Sequence, residues 1–159
     1  PVSIALFAIT VSTPALAANV VMNTTVNVDP LPITTTVTQS TSFGDIIKPN
    51  TPRTCILTNT GLLAGQCTDT VNAQPGLIDV AGTANSAVQI SGTSSTVDGL
   101  TYTPTFGDGT SSFVATYITA LTGDGTLTVN VGGSLGLDPS QMVYGKTSLI
   151  STNVTITYN

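Results

Sequence analysis

The chain has no histidine, no glutamate and no tryptophan, and only three of its 159 residues are lysine or arginine. Each absence excludes something. Three cations do not neutralise a useful run of phosphates, so a nucleic-acid binder is ruled out. Without His and Glu the commonest acid–base groups are missing, which argues against most hydrolases and transferases. A serine nucleophile would have only Lys48 and Lys146 as a base, and nothing around either looks like a catalytic signature. The chain therefore reads as non-enzymatic. Charged residues make up 7 % of it, against about a quarter of a typical soluble domain. Strong helix formers are scarce, whereas Thr alone supplies about a fifth of the chain alongside many Val, Ser, Asn and Gly. That composition favours strands over helices. Disorder is disfavoured from the other side, because 40 % hydrophobic residues at low net charge support a core. What remains is an all-β, exported, non-catalytic domain of about 140 residues, enough for one two-sheet core.

Export is read from the first residues. Ser3 to Val11 is an apolar run, followed by Ser12, Thr13, the helix breaker Pro14 and then Ala15-Leu16-Ala17. An apolar stretch before an A-x-A site has the form of a signal peptide, here residues 1–17 with cleavage after Ala17. The rival is a retained apolar segment, ordered because something buries it. The run is too short to span a bilayer, so no membrane span is expected in the mature chain.

The two cysteines agree with an oxidising compartment. Cys55 and Cys67 flank Asn59-Thr60-Gly61, a turn signal, and two β arms leaving that turn would bring the thiols together as a disulfide. A redox or metal site is the alternative, without the C-x-x-C spacing or the His that would complete a zinc shell. No cofactor is expected. Asp108, Asp124 and Asp138 sit in Gly- or Pro-flanked loops, where carboxylates can gather calcium. No D-x-D-x-D spacing appears, so each reads as a turn former and no metal site is assigned.

Residues 18–159 contain no linker, charge block or long repeat. Short β-type runs alternate with turn clusters at Pro49–Pro52, Gln74–Gly76, Asp98-Gly99, Gly107–Gly109, Gly123–Gly125, Gly132-Gly133 and Asp138-Pro139. This spacing predicts a sandwich or barrel. Strands are expected at 20–28, 33–38, 43–47, 53–57, 66–71, 77–82, 87–90, 100–105, 113–121, 126–131 and 148–158. No helix is expected beyond a single turn around Pro139–Met142.

Two of these strands alternate cleanly. Val20, Met22, Thr24, Val26 and Val28 share one parity, against Val21, Asn23, Thr25 and Asn27 on the other. Val154, Ile156 and Tyr158 alternate with Asn153, Thr155, Thr157 and Asn159. Each is a strand with one apolar face. The first ends at Asp29-Pro30-Leu31-Pro32, whose prolines break the ladder and stiffen the exit. Such a strand serves either as the first strand of its own sandwich or as an arm that reaches into a neighbour.

Val26-Asn27-Val28-Asp29-Pro30, preceded by alternating apolar residues, resembles the N-terminal donor strand of fimbrial subunits, notably the alpha-fimbrial major pilins. Ile33-Thr34-Thr35-Thr36 through Ser42-Phe43-Gly44-Asp45-Ile46-Ile47 is similar to a family of secreted bacterial β-proteins described as a domain of unknown function, itself similar to pilins. So is the tail, from Gly125-Thr126-Leu127-Thr128-Val129-Asn130-Val131-Gly132-Gly133-Ser134-Leu135 to Val154-Thr155-Ile156-Thr157-Tyr158. The resemblance covers the two ends of residues 20–159 and is thin between about 50 and 110. It implies an immunoglobulin-like, pilin-type β-sandwich over 33–159, completed by a strand donated from the 18–32 extension of the next subunit. Val20, Met22, Thr24, Val26 and Val28 would be the donor positions, with Val154, Ile156 and Tyr158 at the acceptor groove's edge. The implied partners are identical subunits in a head-to-tail, cell-surface filament, exported through the periplasm with a chaperone and an outer-membrane usher. One departure stands out. Pilins of that kind join their first two strands by a disulfide, whereas Cys55–Cys67 would staple a later hairpin. The competing reading is a self-contained secreted sandwich that coats a surface or binds carbohydrate, a case weakened by four Tyr, four Phe and no Trp for stacking on sugars.

Overall fold

The computed structural model describes residues 25–26, 29–58, 61, 63–65, 72–110, 114–145 and 147–159. Every regular element among them is a strand. In chain order these are β1 (Thr34–Gln39), β2 (Ser42–Phe43), β3 (Arg53–Leu57), β4 (Leu63–Gly65), β5 (Ala73–Gln74) and β6 (Gly76–Ala81). They continue with β7 (Ala87–Gly92), β8 (Ser95–Val97), β9 (Leu100–Gly107), β10 (Thr116–Ala120), β11 (Thr126–Leu137) and β12 (Val154–Tyr158).

Alternating burial explains why these segments are strands. In β9, Tyr102, Pro104 and Phe106 are buried while Thr101, Thr103 and Thr105 face outward. Along β11 the odd positions from Val129 to Leu137 are buried, and Thr126 and Thr128 are exposed. Asp98 and Gly99 join β8 to β9 with φ of +51° and +77°, the left-handed pair that a tight type I′ hairpin demands.

The spine is β11. Its 12 residues run about 40 Å at strand rise. Thr126–Val131 pair with β6 and Gly133–Leu137 with β3 on one edge, while β9 follows Asn130–Leu137 on the other. With β1 beyond β6, β4 beyond β3 and β8 beyond β9, this makes a seven-stranded sheet. A smaller sheet has the order β10-β7-β12, and β2 pairs with β5 in a short ribbon. All these pairings are antiparallel.

The two main sheets share one hydrophobic cluster, built from Ile78, Val80, Val88, Ile90, Phe106, Leu121, Val129 and Val131, with Ile156 and Tyr158 of β12 packed on it. The architecture is thus all-β and sandwich-like. The second cluster, Cys55, Tyr102, Leu135 and Leu137, is built differently. It lies under the far half of β11 and β9, beyond the reach of β10, β7 and β12. Its cover is Phe43, Ile46, Met142 and Ile150, from stretches that are mostly without a ladder. Among the described residues, one half of the sandwich has two sheets and the other has one.

Several expected elements differ in position. The run 126–131 extends to Leu137, and Gly132-Gly133, expected to turn, lies mid-strand. Gly133 has φ of +145°, and a Cβ there would strike the Thr103 carbonyl oxygen and come within 2.8 Å of the Tyr102 ring. Gly133 is needed because the Tyr102 ring folds over β11, its hydroxyl donating to the Gly132 carbonyl at 2.7 Å. The run 43–47 keeps a ladder only at Ser42–Phe43, and 148–158 only at Val154–Tyr158. The turn near Pro139 is present, with the Gln141 and Met142 amides donating to the Asp138 carbonyl. The expected strands 20–28 and 66–71 lie outside the described residues, apart from Thr25 and Val26.

Candidate functional site: an open apolar groove

The half of the large sheet without a described facing sheet, together with the adjoining Ile78 and Val131, forms the floor of a groove of about 920 Å³. Ile78, Val131, Leu135, Leu100, Tyr102 and Pro104 supply the floor. These side chains share one face because each lies on the inward parity of its strand. Phe43 meets Tyr102 edge-on, with ring centroids 5.6 Å apart at 77°. One wall is the chain from Val37 to Lys48 and the other runs from Met142 to Val154. The rim is unusually apolar for a surface, with Val37, Val143, Tyr144 and Leu149 all exposed, Leu149 by 85 %.

A few polar groups organise it. Lys48 Nζ donates to the Met142 carbonyl at 2.7 Å and sits 4.8 Å from the centroid of the Tyr144 ring, tying one wall to the other. Thr41 Oγ1 donates to the Val131 carbonyl at 3.2 Å. Burial pushes the Tyr102 phenol above its ordinary pKa, opposed by a hydrogen bond with Thr41. The Ser148 hydroxyl donates to Asp98 Oδ2 at 3.1 Å, fixing the second wall to the β8–β9 hairpin. One group is left over: Thr152 Oγ1, on the groove lining, is buried without a hydrogen-bond partner.

The residues singled out from sequence fall in three places. Val154, Ile156 and Tyr158 all pack on the first cluster inside their own sandwich, and Val154 also lines the groove. Tyr158 also anchors the start of the domain, its hydroxyl donating to the Leu31 carbonyl at 2.6 Å and accepting from the Thr83 amide at 2.7 Å. Val26 is 75 % exposed, so it is not packed against its own domain. Val20, Met22, Thr24 and Val28 lie outside the described residues, as does Cys67. Cys55 is wholly buried in β3, and no free cysteine occurs among the described residues.

Asp108 and Asp138 behave as turn formers. Asp108 accepts from the amide and hydroxyl of Thr110, and Asp138 from those of Ser140 and the side chain of Gln141. The Ser140 bonds hold the Asp138 carboxyl below its usual range. Sequence reasoning missed Lys48 and Thr152 as parts of a site. No sequence signal marked them, because their role depends on long-range packing rather than on a motif.

Fold and groove together define an all-β, sandwich-like domain in which, among the described residues, one half has no second sheet. The chain belongs to the family described as domain of unknown function DUF4402, which matches residues 31–158. No curated protein and no solved structure matches the chain. Among the described residues no helix is long and apolar enough to cross a membrane.

Proposed function

We propose that the protein is a non-enzymatic structural subunit that polymerises by strand donation. The 18–32 extension of one copy adds a strand to the open half of the next, completing an immunoglobulin-like sandwich of the pilin type. The observation that carries this is the half-covered sheet. A groove of about 920 Å³ whose rim exposes Val37, Val143, Tyr144 and Leu149 has the apolar surface of an interaction site. A single strand with alternate apolar side chains has the shape and chemistry to fill it. The chain's own run at 20–28 has that alternation in its sequence, and Val26 within it is exposed in the subunit. Burying Val20, Met22, Val26 and Val28 contributes a gross gain of roughly 6–12 kcal/mol at about 1.5–3 kcal/mol each. Donation from one copy to the next is head-to-tail, so it propagates as an open filament. A cell-surface filament, a periplasmic chaperone and an outer-membrane usher complete this reading.

One feature favours the second reading, a self-contained surface or carbohydrate-binding domain. Tyr144 stands 79 % exposed on the rim, where an aromatic ring can stack on a sugar. Negative-stain microscopy of the secreted protein separates the two. Filaments support strand donation, whereas monodisperse particles with saturable glycan binding overturn it.

A further inference from the structure

The second wall of the groove carries a regular pattern beyond its assigned strand. From Thr147 to Asn159 exposure alternates without a break: Ser148, Ile150, Thr152, Val154, Ile156 and Tyr158 are half-buried, and every residue between them is exposed. Alternation of period two is the signature of extended chain. Yet only Val154–Tyr158 is laddered. Among the described residues, the segment 147–153 makes one backbone–backbone hydrogen bond, from the Thr93 amide to the Asn153 carbonyl.

That bond fixes the direction of the remaining groups. The Asn153 carbonyl points to the β7 side, and the Asn159 amide does the same by donating to the Ala87 carbonyl. In a strand, the amide and carbonyl of one residue point to one edge and those of the next residue to the other. Odd-numbered residues therefore face β7, and the backbone groups of Ser148, Ile150, Thr152 and Val154 face the opposite edge, which no strand among the described residues pairs. All four residues line the groove. An open row of amides and carbonyls is a template for another chain. The orphaned Thr152 hydroxyl lies on this same stretch, a second and independent sign that something is missing there.

We infer that the acceptor edge is Ser148–Val154, running into the start of β12, and that the donated strand of a second copy hydrogen-bonds there to the even-numbered residues only. This rests on strand donation and specifies where and in which register it occurs. The donor backbone pairs with Ser148, Ile150, Thr152 and Val154, and its inward side chains fill the cavity over Tyr102 and Leu135. The entering chain also supplies the partner that Thr152 Oγ1 lacks.

The test is residue-resolved amide exchange by NMR on the full chain, dispersed, with and without a synthetic peptide of residues 18–31. Amides of Ile150, Thr152 and Val154 should slow by at least about tenfold on peptide binding, while those of Leu149 and Ser151 stay fast. Thr152→Val, which keeps the shape and removes the hydroxyl, should weaken peptide binding roughly 2- to 10-fold, the net worth of one hydrogen bond. Ser151→Val on the outward parity should leave it unchanged. Binding that protects the β1 edge instead, or protects 149–152 without alternation, overturns the assigned edge and leaves strand donation standing. Equal affinities for the Thr152 and Ser151 variants overturn the role of the hydroxyl. A peptide that does not bind at millimolar concentration overturns both the edge and the strand-donation reading.

Discussion

Val26→Asp and Asn27→Asp place the same charge on adjacent residues of opposite parity, and the structure makes the first an unusually clean probe. Val26 is 75 % exposed in the subunit, so Asp replaces a side chain already in water. Such surface changes alter folding by about 0.5 kcal/mol or less. In the groove of a neighbour the same position would be buried. Losing the valine forfeits about 1.5–3 kcal/mol, and an unpaired carboxylate against Val131, Leu135 and the Tyr102 ring costs several more. A total of at least about 4 kcal/mol corresponds to roughly a thousandfold weakening at each junction. Asn27→Asp keeps the carboxylate on the solvent side, and its junctions should hold. The assay is sedimentation and negative-stain microscopy of secreted protein, with a thermal melt of each dispersed variant. Val26→Asp should be secreted, melt like the parent and fail to assemble. Equal assembly of the two variants refutes the reasoning, because only a strand of period two separates neighbouring positions. So does a several-degree fall in the Val26→Asp melting temperature, which would place Val26 inside its own fold.

Three further outcomes are expected. Cys55 and Cys67 should be bridged, with reduction costing about 2–3 kcal/mol by loop-closure entropy; two free thiols in non-reducing peptide mapping would overturn this. Lys48→Met removes both the bond to Met142 and the contact with the Tyr144 ring, so stability should drop by about 1–2 kcal/mol and chymotrypsin should cut faster at Tyr144. Unchanged stability and cleavage would mean the clamp holds nothing. Tyr102, whose phenol is held above the ordinary value of 10.0 by burial, binds its proton more tightly in the folded state. The stability this contributes is therefore fully present below pH 10 and lost as pH rises through the raised folded pKa. Denaturant melts from pH 8 to 11.5 should show that loss, and Tyr102→Phe should remove it while costing about 1–2 kcal/mol at neutral pH for the bond to Gly132.

How far the sequence carried depends on what kind of fact was sought. Strand-forming stretches were legible wherever side chains alternate against a core, as in Arg53–Leu57, which is β3 residue for residue. The hairpin turn at Asp98-Gly99 was legible because both residues take positive φ, a demand few residue types meet. Gly132-Gly133 misled because a glycine pair serves two different needs. In a turn it supplies backbone freedom, and in β11 it clears space for the Tyr102 ring. Only the long-range partner distinguishes the two, and no local window contains it. Short strands such as Ser95–Val97 and Ala73–Gln74 were missed for a related reason, since two or three residues carry too little pattern to register.

The groove shows the deeper limit. Thr147–Asn159 reads as one continuous amphipathic strand, and its side chains do alternate throughout. What the pattern does not encode is whether a backbone lies alongside. Side-chain periodicity reports which face meets the core, and the core face of Ser148–Thr152 is satisfied by the second cluster whether or not a neighbouring strand is present. Hydrogen bonding is set at right angles to that face, by chain that is distant in sequence or belongs to another molecule. Val154–Tyr158 finds β7 there, and Ser148–Thr152 has no described strand alongside. The two halves of one pattern thus differ among the described residues: Val154–Tyr158 completes its own sandwich, while Ser148–Thr152 is the template that the proposed strand donation would fill. On the proposed reading the two sides are complementary: Val26 is exposed in the subunit, and Ser148–Thr152 has no described strand alongside. The donated run would gain a core for its alternate side chains, and the acceptor edge a backbone to complete its ladder.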